Sequence, residues 1–481
     1  MDIINAKLKH LNEVYDLICE LEGEKMCKES FSTTYKTNLD TPNVFYRLVI
    51  DNEEVVGFAS LHIQSLLHHG NRIGELQEII IKHEKQGCGF GTLLFDDIKQ
   101  KAEENGCELF SSLWTIARCI DEGCRPLLMY VGEQIIAEGW ADAIVVGRQL
   151  IADPFWVTKA WEERSEDIVP CLRCLNCYSS YQLYKDRAYG MKCIPNCAVN
   201  PRYLHEDRVP VNLTKAGIKK KVLVIGGGPA GMKAALTANE RGHQVMLMEK
   251  EAFLGGQLAC SDYDETKQDL KRYKDYLIAQ VVKSDIEVRC RVEAMPEILS
   301  EVKPDTVILA LGARPVVPSI KGVVKSHVMT AVEAYPKFDK IGNDVVIVGG
   351  GSTGCEIGAH LSKEGKEVTV LEFTDTLMSN SNQYLKTGLI QMMKECENLK
   401  VMTGTKCMEI TDNHVIAVNS EGKELSLKAE TVILAAGMRS NTDEANAFFG
   451  YVQDTNIIGD ANRPGTVWEA THDGYYVSAL I

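Results

Sequence analysis

Two stretches of the chain share one pattern of apolar and polar positions. Residues 221–250 (KVLVIGGGPAGMKAALTANERGHQVMLMEK) and 343–373 (NDVVIVGGGSTGCEIGAHLSKEGKEVTVLEF) each read as a short apolar run, a glycine loop, a helix, a second apolar run and a closing acidic residue. An unbroken run such as Val222–Ile225 suits a strand buried on both faces of a parallel sheet. Two further runs, in DTVILALGARP (305–315) and ETVILAAGMRSN (430–441), end in small residues and glycine, and another leads into NIIGDANRPG (456–465). These elements predict an α/β fold with two Rossmann-like units. Upstream the pattern changes. Residues 127–161 read as helix, strand, helix, and residues 1–110 as mixed helix and strand with one glycine loop. The polar stretch 205–220 (HEDRVPVNLTKAGIKK) reads as a boundary.

The glycine loops bring in chemistry. Gly226, Gly228 and Gly231 form G-x-G-x-x-G directly after the first apolar run. In that setting the first glycine allows the tight turn, and the second lets the backbone approach a pyrophosphate. The third lets helix and strand pack closely, so that the helix N-terminus faces the phosphates. Glu249 ends the second run, where a carboxylate binds ribose hydroxyls. Gly349, Gly351, Gly354 and Glu372 repeat the arrangement. A carboxylate at Glu372 repels a 2′-phosphate and no arginine follows in FTDT, which favours NADH over NADPH. Asp460, just after an apolar strand, is placed to hold a flavin ribityl chain; a turn-capping aspartate is the plainer alternative.

Composition narrows the setting. A formal charge of −15 argues against nucleic acid or an anionic membrane as main partner. No apolar run reaches the ~18 residues of a membrane span, and the amphipathic, acidic N-terminus is unlike a signal peptide. A cytoplasmic location is expected, and the 16 cysteines are then reduced thiols, some of them metal ligands. Cys171, Cys174 and Cys177 form C-x2-C-x2-C, followed by Cys193 and Cys197. Thiolates at this spacing suit zinc or an iron–sulfur cluster, with free thiols as the bland reading.

With these motifs in place, residues 220–481 resemble the two-dinucleotide-binding-domain flavoproteins. More narrowly they resemble the C-terminal half of the 2,4-dienoyl-CoA reductase, enoate reductase and trimethylamine dehydrogenase family, for which LGGQL (254–258) is characteristic. The resemblance implies FAD in an outer domain (216–335 and 446–481), held by Gly226, Gly228, Gly231, Glu249, Gln257 and Asp460. It implies NAD(P)H in an inserted domain (336–445), held by Gly349, Gly351, Gly354 and Glu372. VPCLRCLNC and CAVNPR, within 166–215, sit where the family carries a 4Fe-4S segment, and the asparagine–proline pair points to Cys197 rather than Cys193 as fourth ligand beside Cys171, Cys174 and Cys177. Here the second spacing is x2 where the family commonly has x3, and the gap to the fourth cysteine is longer. Residues 111–165 resemble the end of the family's FMN-binding TIM barrel, with Gly147 and Arg148 matching the loop that holds the FMN phosphate. A complete barrel takes ~250 residues, far more than this stretch provides. The plain alternative for Arg148 is a surface cation.

The N-terminal segment resembles a different family. GELQEIIIKHEKQGCGFGTLLFDDIKQKAEENGC (74–107) has a strand, a glycine loop and an amphipathic helix, as in GNAT N-acetyltransferases of the aminoalkylphosphonate type. That implies acetyl-CoA at Gln86, Gly87, Gly89, Gly91 and Thr92, with Glu78 as base or water-positioning residue, or else an exposed strand acid. After Leu109 the family's later helix and strand are not evident, so residues 1–110 resemble the front of one enzyme and 127–481 the back of another.

Three functions follow as expectations. One is an oxidoreductase module passing hydride from NADH to FAD and electrons on to a 4Fe-4S cluster, with a small-molecule substrate or an external acceptor as partner and homo-oligomerisation left open. Another is an acetyltransferase with a flavoprotein tail, acting on an aminoalkylphosphonate-like amine. The last is a non-catalytic remnant that only binds nucleotides.

Overall fold

The computed structural model describes residues 2–22, 25–66, 71–86, 88–112, 136–137, 146–178, 196–379 and 381–481. Gly87, Cys193 and most of 113–145, including the strand expected in that segment, lie outside the described residues. The chain divides into two compact units, Met1–Val146 and Gly147–Ile481.

In the first unit five strands form one sheet in chain order: Asp2–Asn5, Val44–Asp51, Glu54–Leu66, Asn71–Ile81 and Cys107–Ser112. The first four pair antiparallel; the last runs parallel to Asn71–Ile81. Period-two alternation divides the apolar residues between the two faces. Leu48, Phe58 and Ile80 pack with Val14, Leu17 and Tyr35 of the helices Leu11–Glu22 and Lys28–Leu39. Their neighbours Val49, Ala59 and Ile81 pack on the other face with Leu94 and Ile98 of the helix Phe90–Glu104.

The second unit holds two five-stranded parallel sheets of the same design. One runs, in spatial order, Asp454–Ile457, Thr306–Leu309, Lys221–Ile225, Gln244–Glu249, Glu287–Cys290. The other runs Val328–Thr330, Thr431–Leu434, Asp344–Val348, Glu367–Leu371, Leu399–Met402. In each, the strand that opens the glycine loop is central, flanked by the strand that carries the acid and by the returning apolar strand. The change of direction there leaves a crevice at the strands' carboxyl ends, where α/β sheets bind ligands. The second sheet includes Val328–Thr330 as its edge strand. The two crossings between the sheets, Ala313–Pro315 and Met438–Ser440, pair with each other antiparallel. A three-stranded antiparallel sheet, Lys406–Ile410, His414–Val418 and Glu424–Lys428, packs against the second of these parallel sheets.

Candidate functional site

The glycine loops are built as their spacing requires. Gly226 has φ +108, and a Cβ there would lie 2.2 Å from the Ala310 carbonyl oxygen. A Cβ on Gly231 would lie 1.9 Å from the Gly226 oxygen, so the first turn of the helix Pro229–Glu240 rests directly on the loop. Gly349 (φ +118) and Gly354 repeat both contacts, against Ala435 and Gly349, at 2.3 and 2.0 Å.

The two acids also repeat. Glu249, buried, accepts hydrogen bonds from the Gly227 N–H (2.6 Å) and the Glu251 N–H (2.8 Å). Glu372, equally buried, accepts from the Gly350 N–H (2.7 Å), the Thr374 N–H and the Thr374 hydroxyl (both 2.8 Å). A carboxylate offers about four acceptor sites, so each acid braces its loop and still keeps capacity toward the crevice. LGGQL folds back on the first loop: the Gly255 N–H donates to Gly227 O (2.9 Å), and Gln257 Nε2 to Ala313 O (3.3 Å). The second unit does the same through the Met378 N–H to Gly350 O (2.9 Å). Asp460 follows the returning strand and accepts from the Gly465 N–H (3.0 Å), and burial raises its pKa. It does cap a turn.

Cys171, Cys174, Cys177 and Cys197 line one pocket, with Arg148, Ile151 and Val199 among its other walls. Arg148, expected at an FMN phosphate, thus stands beside the thiols, in the short helix Arg148–Ala152 that follows Gly147. Burial raises the pKa of Cys171 and Cys174 and pushes Cys197 up to about 12. Backbone donors oppose this: the Arg173 N–H lies 3.4 Å from Cys171 Sγ, and the backbone amides of Asn176 for Cys174, and of Val199 and Asn200 for Cys197, pull the pKa down. Arg173 (φ +51) and Leu175 (φ +54) take the left-handed conformation on either side of Cys174. Such turns cost energy in non-glycine residues, and they aim successive amides into a concavity. Buried thiols with converging amides suit thiolates bonded to metal, whose charge draws off the protons. Among the described residues no group of three or more His, Cys, Asp and Glu side chains is spaced to hold a single metal ion. Asn200 of the asparagine–proline pair is buried, donating to Ile151 O (2.7 Å) and accepting from the Arg202 N–H (3.0 Å).

Several residues of this region were not singled out from the sequence. Lys267, buried, pairs with Glu356 on the first turns of the helix Ser352–Lys363 and lies 3.8 Å from Asp264. Burial pulls its pKa down, but Glu356 and Asp264 outweigh this and raise it. The pair joins the first nucleotide unit to the second. His472, buried in the helix Val467–Ala479, donates from Nε2 to Cys197 O (2.9 Å); burial lowers its pKa to about 4, so the ring is neutral. Asn382 Nδ2 reaches Cys174 O at 3.4 Å from the second nucleotide unit. Each pairing spans residues far apart in sequence, so only a lone buried lysine or histidine in an otherwise amphipathic stretch hinted at them.

In the first unit Glu78 lies half-buried on Asn71–Ile81 and accepts from the Ser60 hydroxyl. Among the described residues the parallel partner strand Cys107–Ser112 pairs with Arg72–Leu76, and Gln77–Ile81 leads on toward the glycine loop. Gln86 donates to Ile81 O (3.1 Å), Gly89 (φ +82) caps the helix Phe90–Glu104, and Gly91 and Thr92 fall in its first turn.

The fold and sites define two classes joined in one chain: an acyltransferase-type α+β unit and a two-dinucleotide oxidoreductase unit. Residues 11–118 match the acetyltransferase (GNAT) family and residues 220–458 the pyridine nucleotide-disulphide oxidoreductase family. The chain belongs to both, each through one segment, and membership of the second carries dependence on FAD and NAD(P)H. The chain is 36% identical over 353 residues to an NADH oxidase of Thermoanaerobacter brockii, covering 72% of this chain and 53% of that protein. It is 39% identical over 108 residues to an aminoalkylphosphonate N-acetyltransferase of Salmonella typhimurium, covering 22% of this chain and 70% of that protein. A solved 2-naphthoyl-CoA reductase is similar at TM-score 0.71 and 30% identity, over 82% of this chain and 56% of the other. The chain spans about half the length of the reductase-type relatives it matches. Among the described residues no helix is long and apolar enough to cross a membrane.

Proposed function

We propose that residues 147–481 form the electron-input module of an NADH-dependent reductase. NADH is taken at Gly349, Gly351, Gly354 and Glu372, and FAD at Gly226, Gly228, Gly231, Glu249, Gln257 and Asp460. A 4Fe-4S cluster is held by Cys171, Cys174, Cys177 and Cys197. When bound, FAD would supply the switch from two-electron hydride chemistry with NADH to one-electron chemistry, and the cluster on the four cysteines would supply the one-electron outlet toward an external acceptor. The observation that carries this reading is the doubled strand–loop–helix–acid unit beside four thiols lining one pocket. Each acid braces its loop and offers its remaining lone pairs to ribose, while the thiols take backbone N–H groups that favour their anionic form.

The relative named NADH oxidase makes oxygen one acceptor to examine, and the 2-naphthoyl-CoA reductase likeness makes an aromatic or unsaturated acyl-CoA another. Arg148, beside the thiols, supplies positive charge next to the cluster or to the phosphate of FMN. The protein, purified without oxygen, is expected to show flavin absorbance, about four irons per chain from the proposed cubane, and bleaching on addition of NADH. Flavin that stays oxidised under NADH overturns the proposal.

A second reading is favoured by one observation, Glu78 held by the Ser60 hydroxyl on the strand that leads into the glycine loop. That loop and the start of the helix Phe90–Glu104 suit the pyrophosphate of acetyl-CoA, with Glu78 as base. Acetyl transfer to an aminoalkylphosphonate, assayed directly, tests it; no transfer at saturating acetyl-CoA sinks it.

A further inference from the structure

We propose that His472 is a positioning residue for the iron–sulfur cluster, fixing the peptide of Cys197 so that the amides after it point at the cysteine sulfur. This rests on the cluster reading above.

The carbonyl of Cys197 can only accept, so the bond at 2.9 Å comes from an Nε2–H of His472. The imidazole is held on both sides: its ring centroid lies 4.8 Å from that of Trp468 and 5.8 Å from that of Tyr476. Tyr476, one turn further on, donates to Pro201 O (2.9 Å), so the same helix grips the cysteine segment twice. Between the two gripped carbonyls lie Val199 and Asn200, whose backbone amides favour the anionic form of the Cys197 sulfur. Holding the chain on either side fixes the direction of those amides. Hydrogen bonds to cluster sulfurs are among the levers that set its potential, because donors stabilise the extra negative charge of the reduced form.

The location adds meaning. A Cβ on Gly474, two residues after His472, would lie 2.5 Å from Ala230 O. The helix Val467–Ala479 therefore touches the first turn of the helix Pro229–Glu240, beside the first glycine loop. One helix thus rests on the proposed FAD site and holds the proposed fourth ligand.

The test uses the full chain, purified anaerobically, with His472→Gln and His472→Phe. Glutamine keeps an N–H donor; phenylalanine keeps the ring packing and loses the donor. Iron and acid-labile sulfide, FAD content, the EPR spectrum of the reduced cluster and its midpoint potential are measured for each. The phenylalanine variant is expected to keep its FAD and show an altered EPR line shape and a downward shift in potential, or to lose the cluster. The glutamine variant is expected to stay close to wild type. Glutamine and phenylalanine variants that behave alike, whether both unchanged or both shifted, overturn the role of the donor. Wild-type protein without iron overturns the cluster reading and this inference together, whereas a loaded wild type with two unchanged variants overturns the inference alone.

Discussion

Gly354→Ala offers the most direct separation of the two nucleotide sites. The added methyl group would sit 2.0 Å from the Gly349 carbonyl oxygen, where ordinary contact begins at 3.4 Å. Both partners are backbone, so no side chain can swing aside, and loop and helix must part by roughly 1 Å or more. Misplacing a binding element by about 1 Å can cost on the order of 10²-fold in rate, or about 2.7 kcal/mol. The overpacking itself destabilises by about 1–3 kcal/mol, and this falls on the second unit. The expected result is normal FAD content, a lowered melting temperature and a kcat/KM for NADH down about 100-fold. The assay is anaerobic stopped-flow bleaching of the flavin by NADH. Dithionite serves as control and should reduce the variant's flavin as it does the wild type's. Gly231→Ala, whose methyl group would lie 1.9 Å from Gly226 O, should instead yield protein depleted of FAD. Unchanged NADH kinetics in Gly354→Ala, or loss of FAD from it, would refute the assignment of the two loops.

Further outcomes follow from the same geometry. Lys267→Met leaves Glu356 and Asp264 without their cation; breaking a fully buried pair costs ~3–5 kcal/mol, and because Glu356 is a third exposed the loss should be nearer 2–3 kcal/mol, read as a drop in unfolding midpoint. Cys171→Ser should lower iron content while FAD and NADH reduction of flavin persist, measured by metal analysis and absorbance. The raised pKa of Asp460 has a definite sign: an acid whose folded pKa lies above its unfolded value stabilises below the unfolded pKa and loses that contribution as pH rises through the folded one. FAD hydroxyls donate to the ionised form, so FAD affinity should weaken as pH falls through the raised pKa, and Asp460→Asn should flatten that dependence in a fluorescence titration. Glu372→Gln removes the charge that repels a 2′-phosphate, so the ratio of NADH to NADPH efficiency should fall, measured as kcat/KM for each.

The parts of this molecule legible in the sequence are those whose causes are local. Val222–Ile225 is an unbroken apolar run, and it is a central parallel strand. Gly226 and Gly231 stand five apart because a loop and the helix turn above it must touch, and that spacing can be read directly. Glu249 and Glu372 were expected to bind ribose; their second task, bracing the loop through the Gly227 and Gly350 amides, needed coordinates. Lys267 and Glu356 are 89 residues apart, and His472 and Cys197 are 275 apart. No periodicity marks such pairs, because each sits on an element whose pattern is explained by its own packing. Arg148 shows the limit from the other side. Its loop was read by likeness to a phosphate site, and it also stands beside thiols from a segment more than 20 positions onward, a proximity no local motif encodes.

The cysteine segment belongs to neither nucleotide unit, yet both hold it. His472 on the returning helix of the first unit grips Cys197 O, Asp269 of the first unit pairs with Arg173 (2.6 Å), and Asn382 of the second unit reaches Cys174 O. Transfer between the proposed flavin and cluster would require the two to be fixed relative to each other, and side chains from both nucleotide units touch the cysteine segment at carbonyls and at the arginine between two of the proposed ligands. These three contacts are made within Gly147–Ile481, the unit that also holds both glycine loops. Two partial resemblances in one chain are then physically compatible: each unit carries its own core, and the proposed redox path is laid out inside one of them.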